Sequence, residues 1–162
     1  MEANGSDPTN LTRNAAQDLY PAWYNSQGLL SSTERIIFSS GRDGNLEIYA
    51  MDADGDNPTN LTNSPSNEAF PAAPRGGGQI AYVSDRDGNA EIYVAGENGS
   101  NVTNLTNHPA IDTYPAYLPD GSWLAFTSNR DGNQEVYIMR ASGADLANFT
   151  RSPAEDLFGR WR

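Results

Sequence analysis

The chain has 162 residues and a mass of 17.5 kDa, enough for one domain with a buried core. Its 21 acidic and 10 basic side chains give a net charge of −11, a field that repels nucleic-acid phosphates and anionic membranes. Cysteine is absent, His108 is the single histidine and no apolar run has membrane-spanning length, which excludes disulfides, zinc sites built on several cysteines or histidines, and bilayer insertion.

Internal repetition organises the predicted elements along the chain. Three blocks recur in a fixed order with a period of 44 residues. The Asn-Leu-Thr block stands at 10–12, 60–62 and 104–106, with Asn-Phe-Thr at 148–150. An aromatic residue followed by Pro-Ala stands at 20–22, 70–72 and 114–116. Arg-Asp-Gly-Asn stands at 42–45, 86–89 and 130–133. About six extra residues between Tyr24 and Arg35 lengthen the first unit.

The sequence pattern of each unit predicts four short strands. The aromatic-Pro-Ala block opens the first strand, and an apolar run such as 80–83 forms the second. Arg-Asp-Gly-Asn then predicts a hairpin turn, because Gly and Asn tolerate a positive φ. A third strand starts at Glu-Ile-Tyr, and a fourth ends at Leu-Thr. Four strands in about 44 residues are typical of a β-propeller blade.

These motifs resemble the TolB-type, WD-like propeller repeat. The match is closest at 114–121, which reads Tyr-Pro-Ala-Tyr-Leu-Pro-Asp-Gly, and at the Met-Asp-Ala-Asp-Gly turn of 51–55. The resemblance covers essentially the whole chain. It departs from the repeat in the first unit, which has the insertion, and in the second, where Arg-Gly-Gly-Gly replaces the usual turn at 75–78.

The resemblance implies an all-β fold of three complete four-stranded blades, with an N-terminal outer strand and a C-terminal inner strand. We expect one propeller-repeat domain, 1–162, with blade-sized units at about 13–62, 63–106 and 107–150 and stray strands at 1–12 and 151–162. Such a set of strands is not expected to close a ring by itself. The chain is therefore either a piece of a longer propeller or a unit whose blades are completed between chains, and the sequence leaves both explanations open.

One acidic residue stands two positions before the aromatic residue of every unit. These residues are Asp18, Glu68, Asp112 and Asp156. In a propeller this loop lies near the rim of the central funnel, where a ring of carboxylates would hold a cation or a basic peptide. The alternative is a structural role, in which each carboxylate caps its turn or accepts backbone N–H bonds. Repetition in every unit favours the structural role.

Two further patterns are candidates for a metal ion or a modification. Asp52, Asp54 and Asp56 alternate like the start of a calcium loop, but the glycine and glutamate of that motif are missing, so a solvated turn is the default. No cofactor is expected, and calcium is the one candidate metal. Four asparagines match the glycosylation pattern: Asn10, Asn60, Asn104 and Asn148. The alternative is that asparagine suits this position of the outer strand.

Basic and aromatic side chains of the repeats have two interpretations as well. The hairpin arginines either bind acidic partners or pack their stems on the blade and pair locally, and local pairing is favoured; they are Arg42, Arg86 and Arg130. Aromatic residues of the first strand in each unit either stack sugars or pack between blades, and packing is favoured; they are Trp23, Tyr117 and Trp161.

No catalytic motif emerges, since the sequence has neither a Gly-x-Ser-x-Gly elbow nor a phosphate-binding glycine loop. We therefore predict a non-enzymatic protein-binding or scaffold module, in which the negative field favours basic ligands. The alternative is a self-assembling extracellular subunit that forms a ring or filament; a third hypothesis is the propeller part of a hydrolase or lyase. The resemblance implies an extracellular or periplasmic location, and a protein or another copy of the chain as partner.

Overall fold

The computed structural model describes residues 6–27 and 32–157, and these residues form twelve β-strands and no helix. The first sheet contains β1 (Asp18–Gln27), β2 (Ser32–Ser40), β3 (Glu47–Asp52) and β4 (Thr59–Asn60). The second contains β5 (Glu68–Ala72), β6 (Gln79–Ser84), β7 (Glu91–Gly96) and β8 (Thr103–Asn104). The third contains β9 (Asp112–Tyr117), β10 (Trp123–Ser128), β11 (Glu135–Arg140) and β12 (Ala147–Asn148). The predicted all-β class is confirmed.

Each sheet is a simple antiparallel meander, with its four strands in chain order. The predicted hairpins join the second and third strands of every sheet, and Ser40 pairs with Glu47 at the first of them. Gly44 takes φ 107° in this turn, a value that side chains with a Cβ rarely adopt. The Arg-Asp-Gly-Asn block is therefore a turn in all three sheets, as its chemistry predicts.

The extra residues of the first unit lengthen one hairpin. In the first sheet β1 and β2 stay paired from Ala22 and Ile37 out to Gln27 and Ser32. In the second sheet the corresponding pairing ends at Ala72 and Ala81. The tip of the long hairpin, 28–31, lies outside the described residues. The insertion thus gives the first sheet an arm that the other two lack.

The core lies between neighbouring sheets. One cluster joins the first and second sheets, and its members include Ile37, Ile48, Ile80 and Tyr82. Another joins the second and third sheets, and its members include Val83, Ile92, Leu124 and Phe126. Because successive side chains of a strand point to opposite faces, the second sheet contributes to both clusters. The three sheets therefore pack face to face in sequence order.

A third cluster covers the far face of the first sheet. It consists of Ile36, Phe38, Tyr49 and Met51, with the partly buried Leu11 packed against it. The predicted stray strands are described only in part: 6–12 and 151–157 carry no strand, and 1–5 and 158–162 lie outside the described residues. None of the described segments forms a helix long and apolar enough to cross a membrane.

Candidate functional site

The repeated acidic residues begin the first strand of each sheet. Asp18 opens β1, Glu68 opens β5 and Asp112 opens β9, and these three strands are neighbours in space. We call them the inner strands. Asp156, the fourth residue of the row, is half-buried and follows the third sheet. Three of the four acidic residues therefore begin neighbouring strands, and the fourth stands after the third sheet.

Each inner-strand carboxylate is paired with the arginine of its own sheet's hairpin. Arg130 Nη2 donates to both oxygens of Asp112, at 3.1 and 3.0 Å. Arg86 Nη2 donates to Glu68 Oε1 at 3.1 Å, and the nitrogen–oxygen distance between Arg42 and Asp18 is 3.5 Å. The side chains of Glu68 and Asp112 are fully buried. A cation at these positions would have to displace an arginine.

The pair formed by Glu68 and Arg86 leaves one carboxylate oxygen without a hydrogen-bond donor. Glu68 Oε1 accepts from Ser84 as well as from Arg86, whereas Glu68 Oε2 is buried and has no hydrogen-bond partner. Burial raises the pKa of the Glu68 carboxyl, because desolvation disfavours its charged form. Of the three inner-strand carboxylates, only that of Asp112 accepts from its arginine through both oxygens.

The hairpin arginines also stack on a tyrosine of the third strand. The distances from guanidinium carbon to ring centre are 4.4 Å for Arg42 on Tyr49, 4.7 Å for Arg86 on Tyr93 and 4.8 Å for Arg130 on Tyr137. Their Nε atoms donate to a serine at the end of the second strand, for example from Arg42 to Ser40 at 2.8 Å. The guanidinium group of each arginine therefore makes local contacts through both its positive charge and its flat face.

The same tyrosines tie the hairpin to the Asn-Leu-Thr block. The Tyr49 hydroxyl donates to Asp43, and Asn60 Nδ2 donates to the same carboxylate at 2.9 Å. Burial, followed by this bond, raises the pKa of Tyr49 to about 12. The bond from Tyr49, followed by that from Asn60, lowers the pKa of Asp43. The cluster recurs in the second and third sheets around Tyr93 and Tyr137.

The candidate glycosylation sites lie in these clusters. Asn60, Asn104 and Asn148 are half-buried, and each donates from Nδ2 to a hairpin carboxylate. Asn10 is exposed, and its Oδ1 accepts from the Thr12 hydroxyl at 3.2 Å. Asparagine at this position is therefore used structurally in all three sheets, and Asn10 is the one of the four that is exposed.

The candidate calcium residues do not converge on a common point. Asp52 pairs with Arg35 at 3.3 Å and accepts a bond from Asn57, while Asp54 accepts the backbone N–H of Asp56 at 3.0 Å. Within 6–27 and 32–157, no group of three or more His, Asp or Glu side chains is placed to hold a metal ion.

A concave apolar groove runs across the inner strands. It is built from the three aromatic-Pro-Ala blocks, with Trp23 and Pro119 at its sides, and has a volume of about 620 Å³. The ring centres of Tyr20 and Phe70 are 4.1 Å apart, and those of Phe70 and Tyr114 are 4.6 Å apart. We call this feature the inner groove. It presents a continuous row of aromatic rings from all three sheets.

An irregular backbone sets the direction in which these rings point. The ladder between the first two strands shifts register between Leu19 and Ala22 and again between Ala69 and Ala72. The aromatic residues in these bulges have φ near 53°, a left-handed conformation that costs about 1 kcal/mol or more for a residue with a side chain; they are Tyr20, Phe70 and Tyr114. Bulges of this kind redirect a side chain from its ordinary face of the sheet.

Trp23 corrects one expectation from the sequence. The prediction that this residue packs between blades is wrong, because 63% of its surface is exposed. Tyr117, at the same repeat position, is buried against the second sheet, which precedes its own. The described residues include no sheet before the first, so Trp23 has no such neighbour. Trp161 lies outside the described residues.

The long hairpin extends the inner groove at one end. A hollow of about 520 Å³ shares Trp23 and Tyr117 with the groove and adds Asn25, Glu34 and Arg75. The hairpin approaches the glycine turn of the second sheet so closely that a Cβ on Gly77 would lie 2.0 Å from the Asn25 carbonyl oxygen. The inserted hairpin and the glycine turn therefore fit closely against each other. Together they place polar groups beside the row of aromatic rings.

Three antiparallel four-stranded sheets, packed face to face with their first strands side by side, define a protein of the β-propeller class. The family model described as the TolB beta propeller domain matches residues 30–106 and 71–161. The chain belongs to this family, and the resemblance seen in the sequence is confirmed.

Solved structures show the same relationship. The chain is similar to the putative TolB from Agrobacterium tumefaciens, with 27% identity and a TM-score of 0.69 over 76% of this chain and 45% of that one. It is similar to TolB from Acinetobacter baumannii, with 23% identity and a TM-score of 0.81 over 98% of this chain and 38% of that one. The tricorn protease shares the fold alone, at 15% identity and a TM-score of 0.55 over 74% of this chain and 12% of that one. The chain thus spans less than half the length of either TolB structure. No curated protein matches it.

Proposed function

We propose that the chain is a non-enzymatic protein-binding module that holds an extended segment of a partner protein in the inner groove. The observation that carries the proposal is the row of aromatic rings, in which Tyr20 is 42% and Tyr114 43% exposed, with the half-buried Phe70 between them. Large aromatic surfaces on rigid backbone are favoured at protein interfaces, because they bury much area at little cost in conformational entropy.

The charge distribution favours a basic segment. Arginines neutralise the three inner-strand carboxylates, yet the chain as a whole carries a net charge of −11. A field of this sign raises the rate at which positively charged segments reach the groove. Glu34 and Arg75, at the hairpin end of the groove, then give the bound segment a preferred direction.

The contacts of the acidic residues support a binding role over a catalytic one. A general base or nucleophile must be able to reach a substrate. Glu68 and Asp112 are instead fully buried beneath their arginines, and Asp43 holds Tyr49 and Asn60. The likeness to the tricorn protease concerns the fold and carries no activity to this chain.

We also propose that residues 1–162 act as one domain and that the chain works outside the cytoplasm, as the family resemblance implies. An antibody raised against the chain would then detect it in the extracellular or periplasmic fraction of its native cells. Detection in the cytoplasmic fraction alone would contradict this location.

A peptide selection tests the binding role. We would select a phage-displayed library of random 12-residue peptides on the wild-type chain and measure the affinity of single peptides by fluorescence polarisation. We expect enriched peptides to be basic and to bind the Trp23→Ser variant about tenfold more weakly or worse, while the Val102→Ser variant keeps full affinity. Val102 is the matched control because it is 42% exposed and lies outside the groove. Failure to enrich any peptide, or equal affinity of both variants, would contradict the proposal.

A further inference from the structure

Each Asn-Leu-Thr block is seated against a glycine turn of the following sheet. A Cβ on Gly99 would lie 2.1 Å from the carbonyl oxygen of Leu61, and one on Gly143 would lie 3.3 Å from a methyl carbon of Leu105. At the start of the chain a Cβ on Gly55 would lie 2.6 Å from the carbonyl oxygen of Leu11. We call these turns the glycine seats. Close approach of another backbone requires glycine at such positions.

The described residues contain four blocks and three seats. Phe149, in the fourth block, is 62% exposed, whereas Leu61 is 9% exposed. Its backbone is held like the others, because the Phe149 N–H donates to Val136 O at 2.8 Å as the Leu61 N–H donates to Ile48 O at 2.8 Å. Within the described residues, the backbone of the fourth block is therefore held like that of the others, but the Phe149 side chain does not lie against a glycine seat.

We propose that Phe149 of one copy of the chain occupies the Gly55 seat of a second copy, in place of that copy's Leu11. This interaction surface is distinct from the inner groove. The internal contacts of the chain already show how such a block and such a seat fit, so a second copy supplies a partner of known shape.

The Gly55 seat is the one that can be vacated. Leu61 and Leu105 follow directly on strands β4 and β8, whose sheets are packed against the sheets that hold their seats. Leu11 belongs to residues 6–17, which carry no strand, and it is only partly buried. Beneath it lies the apolar far face of the first sheet. Exchange of Leu11 for Phe149 would cover this face with the larger side chain and the sheet that carries it.

The proposed contact joins different surfaces of the two copies. Such head-to-tail contacts give rings where the rotation closes and filaments where it does not. Each copy carries a net charge of −11, so like-charge repulsion opposes the contact at low salt. We therefore expect association to strengthen as salt is raised toward physiological ionic strength.

Sedimentation velocity on the full chain and three single-residue variants tests the proposal. The average mass of the wild-type particles is expected to rise further above 17.5 kDa as the protein concentration is raised. Phe149→Ser removes the incoming side chain and should stay at 17.5 kDa. Leu11→Ser loosens the resident block and should lower the concentration of half association about tenfold. Val102→Ser removes another exposed apolar side chain, outside the proposed contact, and should behave like the wild type.

A complementation experiment identifies the seat. Gly55→Ala blocks the seat but keeps Phe149, and Phe149→Ser keeps the seat. Each variant alone should be monomeric, and an equimolar mixture should form a complex of twice 17.5 kDa and nothing larger. If Gly55→Ala does not fold, as judged by circular dichroism, the opposite effects of Phe149→Ser and Leu11→Ser decide instead. The proposal is overturned if the wild type remains monomeric up to about 1 mM, or if Phe149→Ser associates as strongly as Val102→Ser.

Discussion

Replacing Asp112 with asparagine removes a buried charge while nearly preserving side-chain volume. Asp112 is fully buried, and the side chain of its partner Arg130 is only 10% exposed. Breaking a buried ion pair from one side costs about 3–5 kcal/mol, because the remaining charge stays desolvated without a counter-charge. Asparagine keeps one oxygen that accepts from Arg130, so we expect the Asp112→Asn variant to lose about 3 kcal/mol of unfolding free energy.

The first sheet offers a matched comparison. The Asp18–Arg42 distance is 3.5 Å, and these side chains are 13% and 15% exposed. The Asp18→Asn variant should therefore lose about 1 kcal/mol. Urea unfolding of both variants, followed by tryptophan fluorescence, measures the two losses, and the thermal midpoint of Asp112→Asn should fall by about 6–12 °C. Equal losses in the two variants, or no loss in Asp112→Asn, would refute the view that these arginines hold the inner strands.

Three further predictions concern the hairpin arm, the tyrosine clusters and pH. Gly77→Ala should lose about 2 kcal/mol or more, because Gly77 has φ 69° and its Cβ would strike the arm, whereas Gly76→Ala, with open space around its Cβ, should change stability by less than about 0.5 kcal/mol in chemical denaturation. Tyr93→Phe should lose about 1–2 kcal/mol, since it leaves the hairpin carboxylate without its phenolic donor, and calorimetry at neutral pH would measure the change. Glu135 and Glu68 should show opposite pH dependence in urea titrations from about pH 3 to about pH 7. The pKa of Glu135 is lowered by the Thr150 hydroxyl, so its stabilising contribution is lost as pH falls and Glu135→Gln should cost most near neutrality. The pKa of Glu68 is raised by burial, so its contribution is lost as pH rises and Glu68→Gln should cost less at neutral than at acid pH.

The local structure of the repeats could be predicted from the sequence because turn chemistry is local. Asp43-Gly44 can form a hairpin whatever surrounds it, since the requirement for positive φ lies in the backbone itself. The short apolar runs, such as 80–83, likewise predicted the second strands, and the Glu-Ile-Tyr segment after the turn predicted the third. Their packing into successive sheets then follows from the need to bury both faces.

The partners of the carboxylates could not be derived in the same way. Asp112 meets Arg130 across a separation of 18 residues, and the spacing alone does not say which of several arginines it meets. The sequence did favour a structural role for Asp112 and local pairing for Arg130, but as two separate inferences. Only the register of the strands joins them into one interaction.

The inner groove and the exposure of Trp23 and Phe149 were missed for a related reason. Each residue occupies a repeat position that is apolar in every unit, which indicates burial. What decides its exposure is whether a neighbouring sheet is present, and that depends on the order of sheets in space. The signal that was available is the aromatic residue before Pro-Ala, since a bulky ring at a bulge points away from the regular faces of the sheet.

The most direct test of the proposed binding role is the indole N–H spectrum of the chain during titration with a selected peptide. The chain has three tryptophans, so their signals can be assigned by single substitutions. Binding in the inner groove predicts that the Trp23 signal shifts progressively, while that of Trp123, which stacks on Arg140 outside the groove, stays in place. A bound peptide that shifts Trp123 and leaves Trp23 unchanged would contradict the account.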